Sequence, residues 1–214
     1  MNDRYEISLY NIFEGYVRNY RRLNIHQSSL SSMFTRREIE YFATVGEYLG
    51  FFSFVEDSKR QQGERGICSR AMDLAWWKYD QREQKEKDVF TKLILHLERE
   101  NLASKAEETI VKLFCASDED YTPYYVIGHI YVSDKSEIKE LQKIVHDKNK
   151  NQKSEVLIIY RYDDPDSKDD FIVEAHFDGF RIKKENDSRI VKMRTDETDY
   201  WTMCFIEEYD ERNK

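Results

Sequence analysis

Two apolar runs do most to constrain the fold: Arg70-Ala-Met-Asp-Leu-Ala-Trp-Trp-Lys-Tyr79 and Lys92-Leu-Ile-Leu-His-Leu-Glu-Arg-Glu100. Each packs apolar, aromatic and β-branched side chains between polar clusters, the signature of a strand. The charged segment from Asp80 to Asp88 reads as their connection. Successive strand side chains point to opposite faces. Ala71, Asp73, Ala75 and Trp77 therefore share one face of the first strand. Ile94, His96, Glu98 and Glu100 share one face of the second, opposite Leu93, Leu95 and Leu97. Paired as a hairpin with those faces aligned, the two strands bring three carboxylates together. Converging carboxylates suit a hard divalent cation.

The rest of the chain supplies helices and further strands. Tyr5, Leu9, Ile12, Phe13, Tyr16 and Tyr20 recur at helical spacing over residues 4–24. Ser28 to Ser32 reads as a loop, with Thr35 as N-cap and Glu38 as its capping-box partner for a helix over 36–49. Residues 51–55 read as a short strand. Ser104 is the expected cap of a third helix and Ser136 of a fourth, running to about Lys148. Residues 124–132 and 155–162 read as strands, the latter with the unbroken apolar run Val-Leu-Ile-Ile-Tyr. Phe171–Phe177 and Phe180–Lys183 suggest a hairpin turning at Asp178-Gly179. Residues 190–194 and 201–206 read as short strands, the latter alternatively as a final helix. Helices interleaved with strands predict an α/β fold with a mixed central sheet flanked by helices. The expected division is an N-terminal helix and loop (1–34), an α/β core (35–162) and a β-rich acidic extension packed on it (163–214).

Composition narrows the function classes. The 7 glycines and 2 prolines argue against an all-β sandwich built on tight turns. No apolar run reaches the roughly 18–20 residues of a membrane span, and the first residues lack the apolar core of a signal peptide. Cys68, Cys115 and Cys204 form no paired motif, which predicts reduced thiols in a cytoplasmic protein. Glycine-rich phosphate loops and a Gly-x-Ser-x-Gly elbow are missing, and the histidines show no zinc-ligand spacing. The net charge of −8 disfavours nucleic acid, but residues 1–100 balance at 16 basic and 16 acidic side chains. The acidity sits in the C-terminal third, and binding depends on local patches.

This element order, with Asp73 before Leu-Ala-Trp-Trp and Leu97-Glu98-Arg99-Glu100 closing the next strand, resembles the PD-(D/E)XK nuclease superfamily over residues 35–162. The resemblance implies a restriction-endonuclease-like core and a Mg²⁺- or Mn²⁺-dependent DNA endonuclease, of the kind found in restriction and phage-defence systems. It implies Asp73 and Glu98 as metal ligands, and Glu100 as the group that holds the nucleophilic water. Glu47 is its candidate for the glutamate of the first helix. The chain departs from the pattern in one respect: Glu100 stands where the superfamily has lysine, and Lys105 or Lys112 of the following helix is the candidate to supply that charge. Arg18, Arg21, Arg22, Arg36, Arg37 and Lys105 are the expected DNA contacts, since phosphates demand positive charge near the cleft. Double-strand cleavage by a single-site subunit would call for a homodimer. The competing reading is a non-catalytic acidic interaction or immunity-type protein that binds a partner protein, drawn from the acidic C-terminal third and the abundant tyrosine.

Overall fold

The run Val-Leu-Ile-Ile-Tyr shows no alternation because its strand is buried on both faces, and the sheet is built around it. The computed structural model describes residues 6–57, 72–78, 92–114, 122–179 and 188–208. The elements follow as α1 (Leu9–Asn19), a 3-10 turn (Tyr20–Leu23), α2 (Ser31–Tyr48), β1 (Phe52–Asp57), β2 (Met72–Lys78) and β3 (Lys92–Glu100). A second 3-10 turn (Ala103–Lys105) leads into α3 (Ala106–Leu113), then β4 (Tyr125–Tyr131), α4 (Glu137–Gln152) and β5 (Glu155–Asp163). The chain continues through β6 (Phe171–Asp178), β7 (Arg189–Thr195) and β8 (Trp201–Phe205). Among the described residues the eight strands form one sheet in chain order. Neighbours are antiparallel except β3–β4 and β4–β5, which are parallel. The fold is thus α/β with a mixed sheet, and β6 to β8 extend that same sheet.

Parallel neighbours need crossovers, and α3 and α4 supply them. Both steps move the same way across the sheet, so connections of the same hand put both helices on one face. There Ile110, Leu113, Ile138 and Val145 pack on Val126, Ile130, Val156 and Ile158. The other face takes α1 and α2, with Phe13, Tyr16 and Phe42 over Leu95, Leu97, Ile127 and Ile159. No helix among the described residues is long and apolar enough to cross a membrane.

Several local expectations are corrected. Helix α2 begins at Ser31, five residues early, because serines are at home in a first turn and Leu30 takes the extended N-cap conformation. Thr35 therefore lies inside the helix, where its hydroxyl donates to the Ser31 carbonyl at 3.3 Å. Ser104 sits in the 3-10 turn and makes no cap. At α4 the box is built on Asp134, which accepts from the Ser136 N–H at 2.7 Å while Glu137 accepts from the Asp134 N–H at 3.1 Å. The partner of β6 is β7; residues 180–183 lie outside the described residues, as do the 80–88 connection, Arg70, Cys68 and Cys115.

Helix α2 lies close on β2 at one glycine. A Cβ at Gly46 would stand 2.4 Å from Trp76 Nε1 and 2.8 Å from Ser53 Oγ, and the Trp76 ring is wholly buried. Gly46→Ala is expected to destabilise the fold by about 2 kcal/mol, since a rigid indole must shift in a filled core. Urea unfolding of the two proteins measures it.

Candidate active site at the end of β3

Strands β2 and β3 pair down to Leu74 and Leu97, and there side chains take over the ladder. The Asp73 N–H donates to Glu98 Oε1 at 2.9 Å, and the Arg99 N–H donates to Asp73 Oδ2 at 2.8 Å. Each carboxylate thus replaces a backbone acceptor on the opposite strand. The reciprocal exchange locks the two acids side by side where the strands part. This edge is also the carboxyl end of the parallel strands β3, β4 and β5, where α/β sheets place their ligands.

Helix α3 closes the site from the other side. Its Lys112 Nζ reaches Glu98 Oε1 at 2.7 Å, and its Thr109 hydroxyl donates to Glu100 Oε2 at 3.4 Å. The close approach of α3 uses Gly128, which pairs with Glu98 on β4; a Cβ there would meet Leu113 at 2.9 Å. His96 is fully buried beneath the helix with Nδ1 3.4 Å from the Leu113 carbonyl, a packed histidine.

The electrostatics are those of a site short of positive charge. Burial, and then the neighbouring Asp73, push the Glu98 carboxyl up to about 7 despite Lys112. Burial also raises Asp73, with Glu100 adding repulsion against the Arg99 N–H and Lys112. Each acid keeps one oxygen in reserve. Among the described residues Asp73 Oδ1 and Glu98 Oε2 have no hydrogen-bond partner, Asp73 being half-buried and Glu98 buried. Two hard oxygens without a protein partner fit a Mg²⁺ or Mn²⁺ ion, which keeps several waters and needs few protein ligands. An all-protein cage is another matter: among the described residues no three His, Cys, Asp or Glu side chains gather to form one.

The other predicted residues fall elsewhere. Glu100 stands beside the pair, but its Oε1 accepts from the N–H groups of Asn101 (2.8 Å) and Leu102 (2.9 Å) as the chain leaves β3. Glu47 lies exposed in the last turn of α2. It is nine residues beyond Glu38, half a turn out of phase and about 13 Å along the axis, so it points away from the sheet. Lys105 is exposed in the 3-10 turn ahead of α3. Arg18 pairs with Glu208 (2.6 Å) and Glu14 (3.4 Å), Arg21 with Asp196 (2.5 Å), and Arg36 and Arg37 both with Glu40. Arg22 is exposed and lines a shallow groove with Arg37, Tyr41 and Tyr48. All five arginines belong to the α1–α2 side, across the sheet from Lys112.

A buried network behind the site was missed. Glu38, expected as a capping partner, turns inward and is 2% exposed. It accepts from the hydroxyls of Tyr16 (2.9 Å) and Tyr20 (2.8 Å) and from Arg99 Nε, and His129 Nδ1 lies 3.3 Å away. Burial pushes its carboxyl up, but Arg99, His129 and Arg161 together hold it well below the usual range. Arg99 NH1 also donates to Thr35 and Asn101, which ties α2 to the residues flanking Glu98. One signal was available: Phe34, Glu38 and Phe42 share one apolar helix stripe.

No protein-family model matches the chain, and no curated protein matches it. Among solved structures, the central domain of yeast acetyl-CoA carboxylase aligns with 83% of this chain at 7% identity and a TM-score of 0.33. The aligned region is 35% of that protein's chain, and so distant a likeness carries no argument about fold or activity.

Proposed function

We propose that the chain is a metal-dependent phosphodiesterase that cleaves nucleic acid, DNA being the expected substrate, with its site at Asp73, Glu98 and Lys112. The observation that carries this reading is the locked carboxylate pair, each acid with one oxygen that has no hydrogen-bond partner among the described residues, and an ammonium 2.7 Å from Glu98. Under the superfamily resemblance, Lys112 on α3 takes the part of the lysine missing beside Glu98. A bound Mg²⁺ supplies Lewis-acid polarisation of the phosphoryl group and a lowered pKa for water. Lys112 orients the attacking water and offsets charge on the phosphate oxygens. Glu100, its Oε2 held only by the weaker contact to Thr109, accepts a proton from that water. The setting we infer is the cytoplasm, in a restriction or defence role, with two copies cooperating where both strands are cut.

The test is calorimetric titration of Mg²⁺ and Mn²⁺ into the wild type and Glu98→Gln, followed by a plasmid-cleavage assay. Binding in the wild type, weakened tenfold or more in the variant, together with metal-dependent cleavage, is the expected result. Neither binding nor cleavage in the wild type would shift the reading to the acidic interaction protein, which has no use for a metal at Glu98.

A further inference from the structure

The C-terminal edge of the sheet holds a second charged group that the proposed reaction leaves without a role. Arg161 stands on β5 and faces α2. Its guanidinium carbon lies 5.6 Å from the centre of the Phe34 ring, 5.8 Å from Tyr131 and 5.3 Å from Phe171. Its Nε is sealed from solvent and has no hydrogen-bond partner. Among the described residues no carboxylate pairs with it, and the residue as a whole is half-buried. The carboxylate in its vicinity is Glu38, whose two oxygens are already taken by Tyr16, Tyr20, Arg99 and His129. Arg99 is likewise occupied by Glu38, Thr35 and Asn101. Burial lowers the His129 imidazole against the opposing pull of Glu38. Two guanidinium groups therefore share Glu38 on the α2 side of this edge, across the sheet from the acidic pair.

A largely desolvated guanidinium without an anion opposes folding, so packing alone does not account for it. We propose that Arg161 is a subsite for a phosphate-class anion, filled by a phosphodiester flanking the one that is cut. The three rings fix the guanidinium by cation–π contact, and a fixed planar fork is suited to bidentate phosphate oxygens. The position fits a shared strand. Glu100, Ile130 and Tyr160 lie in one row across β3, β4 and β5, so the Arg161 backbone is one residue beyond that row and about 10 Å from that of Glu100, with its side chain on the opposite, α2-facing side of the sheet. A nucleic-acid strand that crosses the sheet edge from the α3 face to the α2 face would meet both. The choice of a phosphodiester rests on the phosphodiesterase reading; the anion site itself does not.

The experiment follows thermal unfolding of the full chain without metal, in rising inorganic phosphate at constant ionic strength, for the wild type and Arg161→Met. The wild-type midpoint is expected to rise about 3–6 °C at ten times the phosphate Kd. The variant is expected to show no response, from an equal or higher starting midpoint. A wild type that ignores phosphate, an equal rise in both proteins, or a variant several degrees less stable in phosphate-free buffer would overturn the subsite. A second arm measures metal-free affinity for a short oligonucleotide. There Arg161→Met is expected to lose about tenfold, and its log–log salt slope to fall by about 0.7–0.9. Lost phosphate response with unchanged oligonucleotide affinity keeps the anion site and assigns it to free phosphate esters. Metal-dependent cleavage by the wild type with no phosphate or oligonucleotide effect in the variant sinks the subsite alone. An Arg161-dependent phosphate response in a protein that never cleaves sinks the nuclease reading alone.

Discussion

Asp73→Asn is expected to lower metal-dependent cleavage by at least three orders of magnitude while the protein stays folded. Asparagine keeps a carbonyl oxygen for the Arg99 N–H, which now donates to Asp73 Oδ2 at 2.8 Å, so the junction of β2 and β3 survives. The variant loses the negative charge that the pair would offer a metal. A thousandfold loss corresponds to about 4 kcal/mol of barrier, within the several kcal/mol that a metal's charge stabilisation supplies. Removing the charge also relieves the repulsion that raises Glu98, so the unfolding midpoint should hold or rise. Lys112→Met belongs in the same assay. It keeps the stem of the side chain, and it should lower kcat by about 10²–10³ while metal binding persists. Cleavage by Asp73→Asn at the wild-type rate would sink the assignment, and a Lys112→Met protein that loses metal binding would make Lys112 a structural partner of Glu98.

The element order could be read from the sequence because each element carries a local signal strong enough to survive packing. The period-free run of β5 marks a strand buried on both faces, and the helix α1 stripe of Leu9, Ile12, Phe13 and Tyr16 is the buried face observed. What failed were signals decided by neighbours. Lys105 and Lys112 are seven residues apart and would share a face in one unbroken α-helix. Ala103–Lys105 wind instead as a 3-10 turn, at three residues per turn, which leaves Lys105 exposed and Lys112 on Glu98. Spacing alone makes Glu38 a cap, because it cannot tell a carboxylate that folds back on its own helix from one drawn inward by Arg99, 61 residues away. Arg161 left no trace in the strand pattern, since its surroundings come from α2, β4 and β6.

Glu98→Gln is expected to make the metal-free protein more stable at pH 8 and no different at pH 4. The folded-state carboxyl titrates at about 7 against 4.5 for the unfolded chain, raised by burial and by Asp73. Between those values the native state holds the extra proton, so stability falls as pH rises through the window and stays low above it. At about 1.4 kcal/mol per unit, the wild type at pH 8 gives up on the order of 3 kcal/mol. Asp73 and Glu98 titrate as a coupled pair, so the transition should be broad. Glutamine removes the slope but leaves Lys112 facing Asp73 alone, which trims the gain to about 2–3 kcal/mol, or about 4–12 °C in midpoint. Urea titrations at pH 4, 6 and 8 should show the two proteins diverging steadily, and Mg²⁺ at pH 8 should restore the wild type while leaving the variant unmoved. A wild type that matches or exceeds the variant at pH 8 would mean that Lys112 already neutralises the site. A carboxylate pair held against the stability of its own fold is what a binding site for a cation requires, and its reversal by Mg²⁺ separates that role from a surface ion pair, which neither pH nor metal would move this far.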